Sequence, residues 1–168
     1  MSRDDKCLDT PLAKPVREIP AGNIASLRRQ ARDCHTCALW KHATQTVFGA
    51  GPDDARIMMI GEQPGLQEDQ LGLPFVGPSG GALDRALAES GLDRARLYLT
   101  NTVKHFKFEQ RGWSVAGVAA GIMGLATWHP SAILRAPDKQ RREELYRQLV
   151  QDLSGIRTQS RAGARSTR

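Results

Sequence analysis

No apolar run in this 168-residue chain approaches the roughly 20 residues that a membrane-spanning helix requires. The first 22 residues are charged and contain proline, and they hold no signal-peptide core. Cysteine is scarce and odd in number: Cys7, Cys34 and Cys37. Three thiols do not make a disulfide framework, and in a reducing compartment they read as metal ligands or as free thiols. Neither a GxGxxG nor a GKS pattern is present to cradle a phosphate, which argues against a nucleotide-binding domain. There is also no internal repeat. These absences point to a cytoplasmic protein with no membrane segment.

The length allows one domain with a true core, and a hydrophobic content of 40% fits a globular chain. We expect an N-terminal tail over 1–22, a domain over 23–153 and a basic, disordered tail over 154–168. The net charge is +6, but the last 15 residues hold four arginines and no acid, leaving only +2 for the rest. Such a tail is compatible with attraction to phosphate, and equally with a solvated end.

The chain is organised around Arg56 to Leu83, RIMMIGEQPGLQEDQLGLPFVGPSGGAL. Ile57 to Ile60 reads as a short buried strand, followed by a polar loop punctuated by Gly and Pro. Loops at the carboxyl ends of such strands face a crevice of the sheet and carry ligand sites. This one holds Glu62, Gln63, Glu68, Asp69 and Phe75. A helix is expected over Gly80 to Ser90, with Leu83, Ala86 and Leu87 on one face and Gly91 as its stop. Leu97 to Val103 is a second strand. Strand, helix and strand make a βαβ unit, which implies parallel pairing and puts Asn101 on the same sheet edge as Glu62.

Upstream, Asn23 can cap a helix carrying Ile24, Leu27 and Ala31, which ends near Cys34-His35-Thr36-Cys37. A CxxC suits zinc or an iron–sulfur cluster, but either needs about four ligands, and only Cys7 and His105 could complete the set. After the second strand comes KHFKFEQRG, where basic residues interleave with Phe106 and Phe108, as on a nucleic-acid surface or an ordinary edge strand. Ser114 to Leu125 is rich in small residues and reads as either a helix or a buried strand. In LATWHPSAIL the proline fixes the backbone after His129, and the Ser131 hydroxyl can cap the next segment, which holds His129 at a strand end. Finally Asp138 can cap a helix to Leu153 in which Leu145, Leu149 and Leu153 cover the sheet.

Four blocks in order after a CxxC, GEQPGLQED, GLPFVGPSGG, LTNTVKHFKF and ATWHPSAILR, resemble the iron–sulfur (family 4) branch of the uracil-DNA glycosylases, and most nearly its UdgX subgroup. The resemblance covers most of Cys34 to Arg135. It implies an α/β fold, a three-layer α/β/α sandwich around a short parallel sheet, here with an internal deletion. It implies a monomeric DNA-repair hydrolase that excises uracil from DNA, the base being single-stranded or flipped out.

Hydrolysis of an N-glycosidic bond builds positive charge on the deoxyribose and negative charge on the departing base, so it calls for a carboxylate and a hydrogen-bond donor. By the resemblance, Glu62 orients water and steadies the cation, and His129 donates to the uracil carbonyl. Phe75 stacks on the base, Asn101 reads its edge, and Gln63 and Asp69 complete the pocket. The same resemblance implies a 4Fe-4S cluster held by Cys34, Cys37 and His105; that set is incomplete here, with Cys7 the candidate for the fourth ligand. Four departures stand out: the subgroup's covalent histidine loop, its further cluster cysteine and at least one strand are missing, and Leu66 replaces an aspartate. Water is then the expected nucleophile. The alternative is a module that binds uracil-containing or single-stranded DNA without turnover.

Overall fold

The computed structural model describes residues 23–35, 38–106 and 124–163. The N-terminal tail, Cys7, Cys37 and most of the Ser114 to Leu125 stretch therefore lie outside the described residues. The first helix, α1, spans Ile24–Ala31, and the Asn23 side chain accepts from the Ser26 N–H at 2.9 Å, the cap expected from the sequence. A 3-10 turn follows at Ala38–His42.

Two strands, β1 (Ile57–Gly61) and β2 (Leu97–Asn101), pair in parallel with Ile57 opposite Leu97 and Gly61 opposite Asn101. In-register parallel pairing brings both carboxyl ends to one line, so the loop after β1 and the end of β2 share an edge. The crossover contains a short helix α2 (Leu66–Leu71) and the longer α3 (Pro78–Ser90), which stops at Gly91. Six residues carry too little helical periodicity for α2 to stand out in a polar loop. Past β2 come α4 (Pro130–Leu134) and α5 (Lys139–Gly163).

Alternation along the strands decides the layers. Leu97 and Leu99 of β2, with Ile57 and Met59 of β1, meet Leu83, Leu87, Ile133, Leu145, Leu149 and Leu153 of the helices in one core. Burying one such leucine fully stabilises the fold by about 1.5–3 kcal/mol. On the other face, Tyr98 and Thr100 are covered by the segment before β1. Its Ala50 pairs antiparallel with Leu99, and the Thr100 hydroxyl donates to the Phe48 carbonyl at 2.6 Å. Met58 and Ile60 are 54% and 63% exposed, and β1 has no partner on its outer edge among the described residues. The described residues thus form an α/β unit with a two-stranded parallel sheet and helices packed against one face.

Two expectations need correcting. The final helix does not end at Leu153 but runs to Gly163, so residues 154–163 are helical rather than disordered. Ser154 donates to the Val150 carbonyl, and Ile156 packs on the core, which carries the helix past the last leucine of the stripe. Nor does a strand lead to His129: residues 124–129 form no regular element. They are tied instead by side chains to α5, through Thr127 to Asp152 and Trp128 Nε1 to Gln148 at 2.6 Å.

Candidate active site

Three side chains converge on Gly61 where β1 and β2 end. Gly61 closes β1, and a Cβ placed there would collide with Asn101 Oδ1 and lie 2.7 Å from Phe75 Cζ and 3.3 Å from His129 Nε2. Only a residue without a side chain lets these three groups approach the backbone together. Asn101 is buried at the end of β2. Phe75 reaches the same point from the crossover loop, its ring centroid 5.9 Å from that of His129 with a 33° tilt.

His129 is the N-cap of α4. Its Nδ1 accepts from the Ser131 backbone N–H at 3.2 Å and lies 2.7 Å from the Ser131 hydroxyl. An amide N–H can only donate, so Nδ1 carries no proton and the neutral ring holds its hydrogen on Nε2. Burial pushes the His129 pKa below the usual histidine value, more than the opposing pull of the Glu62 carboxylate, and so favours this neutral form. Nε2 is buried and has no hydrogen-bond partner among the described residues. An unpaired buried donor normally costs stability, and this one points toward Gly61 and Asn101. The serine acts from inside the helix rather than as its cap, because Pro130 occupies the first helical position and moves the cap back to the histidine.

Glu62 follows Gly61 directly, and its backbone carbonyl accepts from Val103 N–H at 2.9 Å, extending the strand pairing by one step. Its half-buried carboxylate makes no hydrogen bond or ion pair among the described residues. Gln63, also half-buried, is next in the same loop. Asp69 sits elsewhere: its two oxygens accept from Thr44 N–H at 3.0 and 2.9 Å, so it ties α2 to the segment after the 3-10 turn.

Sequence reasoning passed over Lys104. Its Nζ donates to the Asn101 carbonyl and the Thr100 hydroxyl, both at 2.6 Å, and to the Phe48 carbonyl at 3.2 Å. Burial lowers its pKa. It knots the end of β2 to the strand-like segment beside it, and its place in a run of basic residues masked that role.

The thiol side of the molecule is separate. Cys34, His35 and His105 line a cavity of about 200 Å³ with Arg32, Trp40 and Thr46. His105 is buried, with Nε2 3.0 Å from the Thr46 hydroxyl, and burial lowers its pKa. Cys34 and His105 thus share one cavity, as ligands of one centre must. No group of three or more ligating side chains is arranged for a metal ion among the described residues, and Cys37 and Cys7 lie outside them.

Residues 48–122 match the model of the uracil DNA glycosylase superfamily. Over that stretch the chain is similar to the uracil DNA glycosylase superfamily. It contains Glu62, Phe75 and Asn101, and His129 lies seven positions beyond it. The Type-4 uracil-DNA glycosylase of Sulfurisphaera tokodaii is 39% identical over 83 residues, which are 49% of this chain and 38% of that protein. The same enzyme type from Saccharolobus solfataricus is 43% identical with the same coverage. That of Thermotoga maritima is 43% identical over 75 residues, 45% of this chain and 39% of the relative. The chain therefore spans about two fifths of the length of these curated relatives. The matched stretch includes the loop after β1 and the end of β2, the two elements whose carboxyl ends build the site.

Proposed function

We propose that this chain excises uracil from DNA by hydrolysing the N-glycosidic bond. The observation that carries the reading is the buried Nε2–H of His129, without a partner among the described residues, beside Asn101, Phe75 and Gly61. A uracil carbonyl oxygen satisfies that donor, and does so better as the base departs with its negative charge. Glu62, at the same edge and without a hydrogen-bond partner among the described residues, serves the sugar side. The bond from the sugar anomeric carbon to the base nitrogen breaks, leaving the pair on uracil, and water adds to the anomeric carbon as Glu62 takes its proton. Phe75 supplies an apolar wall and Asn101 the amide that can read the base edge. Gln63 completes the pocket through its backbone, and Asp69 supports it by fastening α2.

The substrate is a single-stranded or extruded uracil, since no chemistry can reach a stacked base. The enzyme acts as a monomer in the reducing cytoplasm. A 4Fe-4S cluster on Cys34, Cys37 and His105, with Cys7, would be structural and would brace the segment that Asp69 also holds. The described residues supply two of the about four ligands it requires, so no step of the reaction is routed through it.

A second reading is a module that binds uracil-containing DNA without turnover. The two exposed apolar residues on β1, Met58 and Ile60, favour it, because an enzyme site on a thin sheet loses the rigid support that catalysis requires. Incubation with a uracil-containing single-stranded oligonucleotide separates the two. Alkali-labile strand breaks mark excision, a gel shift without breaks marks binding alone, and neither overturns both.

A further inference from the structure

Phe75 has φ 54°, a left-handed backbone conformation that a bulky residue rarely adopts, and it is the one non-glycine residue at positive φ among those described. Such a conformation persists only when its surroundings over-determine it. Both ends of the peptide after it are held by charged groups. Arg94 Nη2 donates to the Phe75 carbonyl at 2.9 Å and to the Pro74 carbonyl at 3.3 Å. On the other side of the same peptide, Val76 N–H donates to Glu68 Oε1 at 2.9 Å. Glu68 is itself buried, and also accepts from Gly77 N–H at 2.7 Å and Gly65 N–H at 3.0 Å. Arg94 is braced in turn by Asp84 on α3. Gly80, in the first turn of α3, lies so close to the Phe75 carbonyl that a Cβ there would collide with it.

We propose that Glu68 and Arg94 are positioning residues for Phe75, gripping the N–H and the C=O of the Phe75–Val76 peptide so that the ring is held against Gly61 and His129 where an extruded pyrimidine stacks. Hydrogen bonds to ionised groups are the stronger kind, and two of them on one peptide leave it a single orientation. If the peptide rotated, the Phe75 Cα–Cβ bond would swing and the ring would leave the end of β1. The carboxylate also spans both ends of the loop, from Gly65 to Gly77, which closes it into one rigid unit. This role rests on the uracil-excision reading only for the identity of what stacks on the ring. The grip itself is independent of it.

The test uses the full chain and three variants, Glu68→Gln, Arg94→Lys and Asp84→Asn. In each, the proton contact between the Phe75 and His129 rings is measured by NMR with labelled phenylalanine, alongside dissociation constants for a uracil-containing single-stranded oligonucleotide and its thymine counterpart. The grip predicts that Glu68→Gln and Arg94→Lys weaken the ring contact while methyl signals of Leu87 and Leu149 stay in place. It also predicts that uracil-oligonucleotide affinity falls by about fivefold or more in Glu68→Gln. In a Phe75→Ala background, Glu68→Gln should cause no further loss, since its effect passes through that ring. An unchanged ring contact, or a full additional loss in the Phe75→Ala background, overturns the proposal. Should Glu68→Gln fail to fold, Asp84→Asn decides alone, because Asp84 is half exposed and touches Phe75 only through Arg94. A wild-type chain that does not distinguish uracil from thymine defeats the excision reading, and the ring contact then still decides the grip.

Discussion

Ser131 reaches His129 twice, through its backbone N–H at 3.2 Å and its hydroxyl at 2.7 Å, both on Nδ1. The pair leaves Nε2 as the only donor of the ring and fixes where it points. His129→Ala should therefore slow uracil release by about 100-fold or more, the usual cost of removing a donor to developing negative charge. Ser131→Ala keeps the amide and loses the hydroxyl, so the loss should be nearer fivefold. Single-turnover excision assays on both variants check the ranking, and equal rates would remove His129 from the mechanism.

The same burial gives a pH dependence. A histidine whose folded pKa is lowered stays neutral while the unfolded chain begins to protonate below about 6.5. The unfolded state then binds more protons, so stability contributed by neutral His129 is present above that value and lost as pH falls through the lower folded pKa. Denaturant midpoints between pH 8 and pH 4 should show this fall, and His129→Phe should flatten it.

Glu62 should behave oppositely toward fold and reaction. Its side chain makes no bond among the described residues, so Glu62→Gln should leave the unfolding midpoint within about 0.5 kcal/mol of wild type. Excision should nevertheless drop by about 100-fold, since the amide neither takes a proton nor steadies a cation. A rate loss matched by a stability loss would point to a structural role instead.

The uneven cover of the sheet predicts an uneven response to mutation. Leu87 is 1% exposed and Ile60 63% exposed. Leu87→Ala should cost about 2–5 kcal/mol through the cavity it leaves. Ile60→Thr should cost under about 0.5 kcal/mol. Equal losses in urea titrations would show that the outer face of β1 is covered in solution.

Water as sole nucleophile is checked by denaturing electrophoresis after incubation with uracil-containing single-stranded DNA. We expect an abasic product and no heat-resistant protein–DNA band. Of the described histidines other than His129, His42 ends the 3-10 turn, His35 lies against Trp40 with ring centroids 4.0 Å apart, and His105 meets Thr46.

Residue pattern by itself determined the elements whose signals are local. The apolar run cut by Gly61 marked the end of β1, whereas β2 was expected to Val103 and ends at Asn101; Asn23, Gly91 and Asp138 marked helix limits, because caps and stops act within one turn of the chain. Those limits put Glu62 and Asn101 on one sheet edge, and the resemblance of the ordered motifs to the uracil-DNA glycosylases added Phe75 and His129. Tertiary structure alone decided how they are held. Glu68 and Arg94 meet at the Phe75–Val76 peptide from 8 and 19 positions away, and Lys104 crosses 56 positions to Phe48. No periodicity encodes such contacts, since they exist only once the crossover has folded back onto the sheet. The orientation of His129 was likewise hidden: a proline one residue on makes the histidine the cap, and its tautomer follows from that geometry rather than from the residues in the motif.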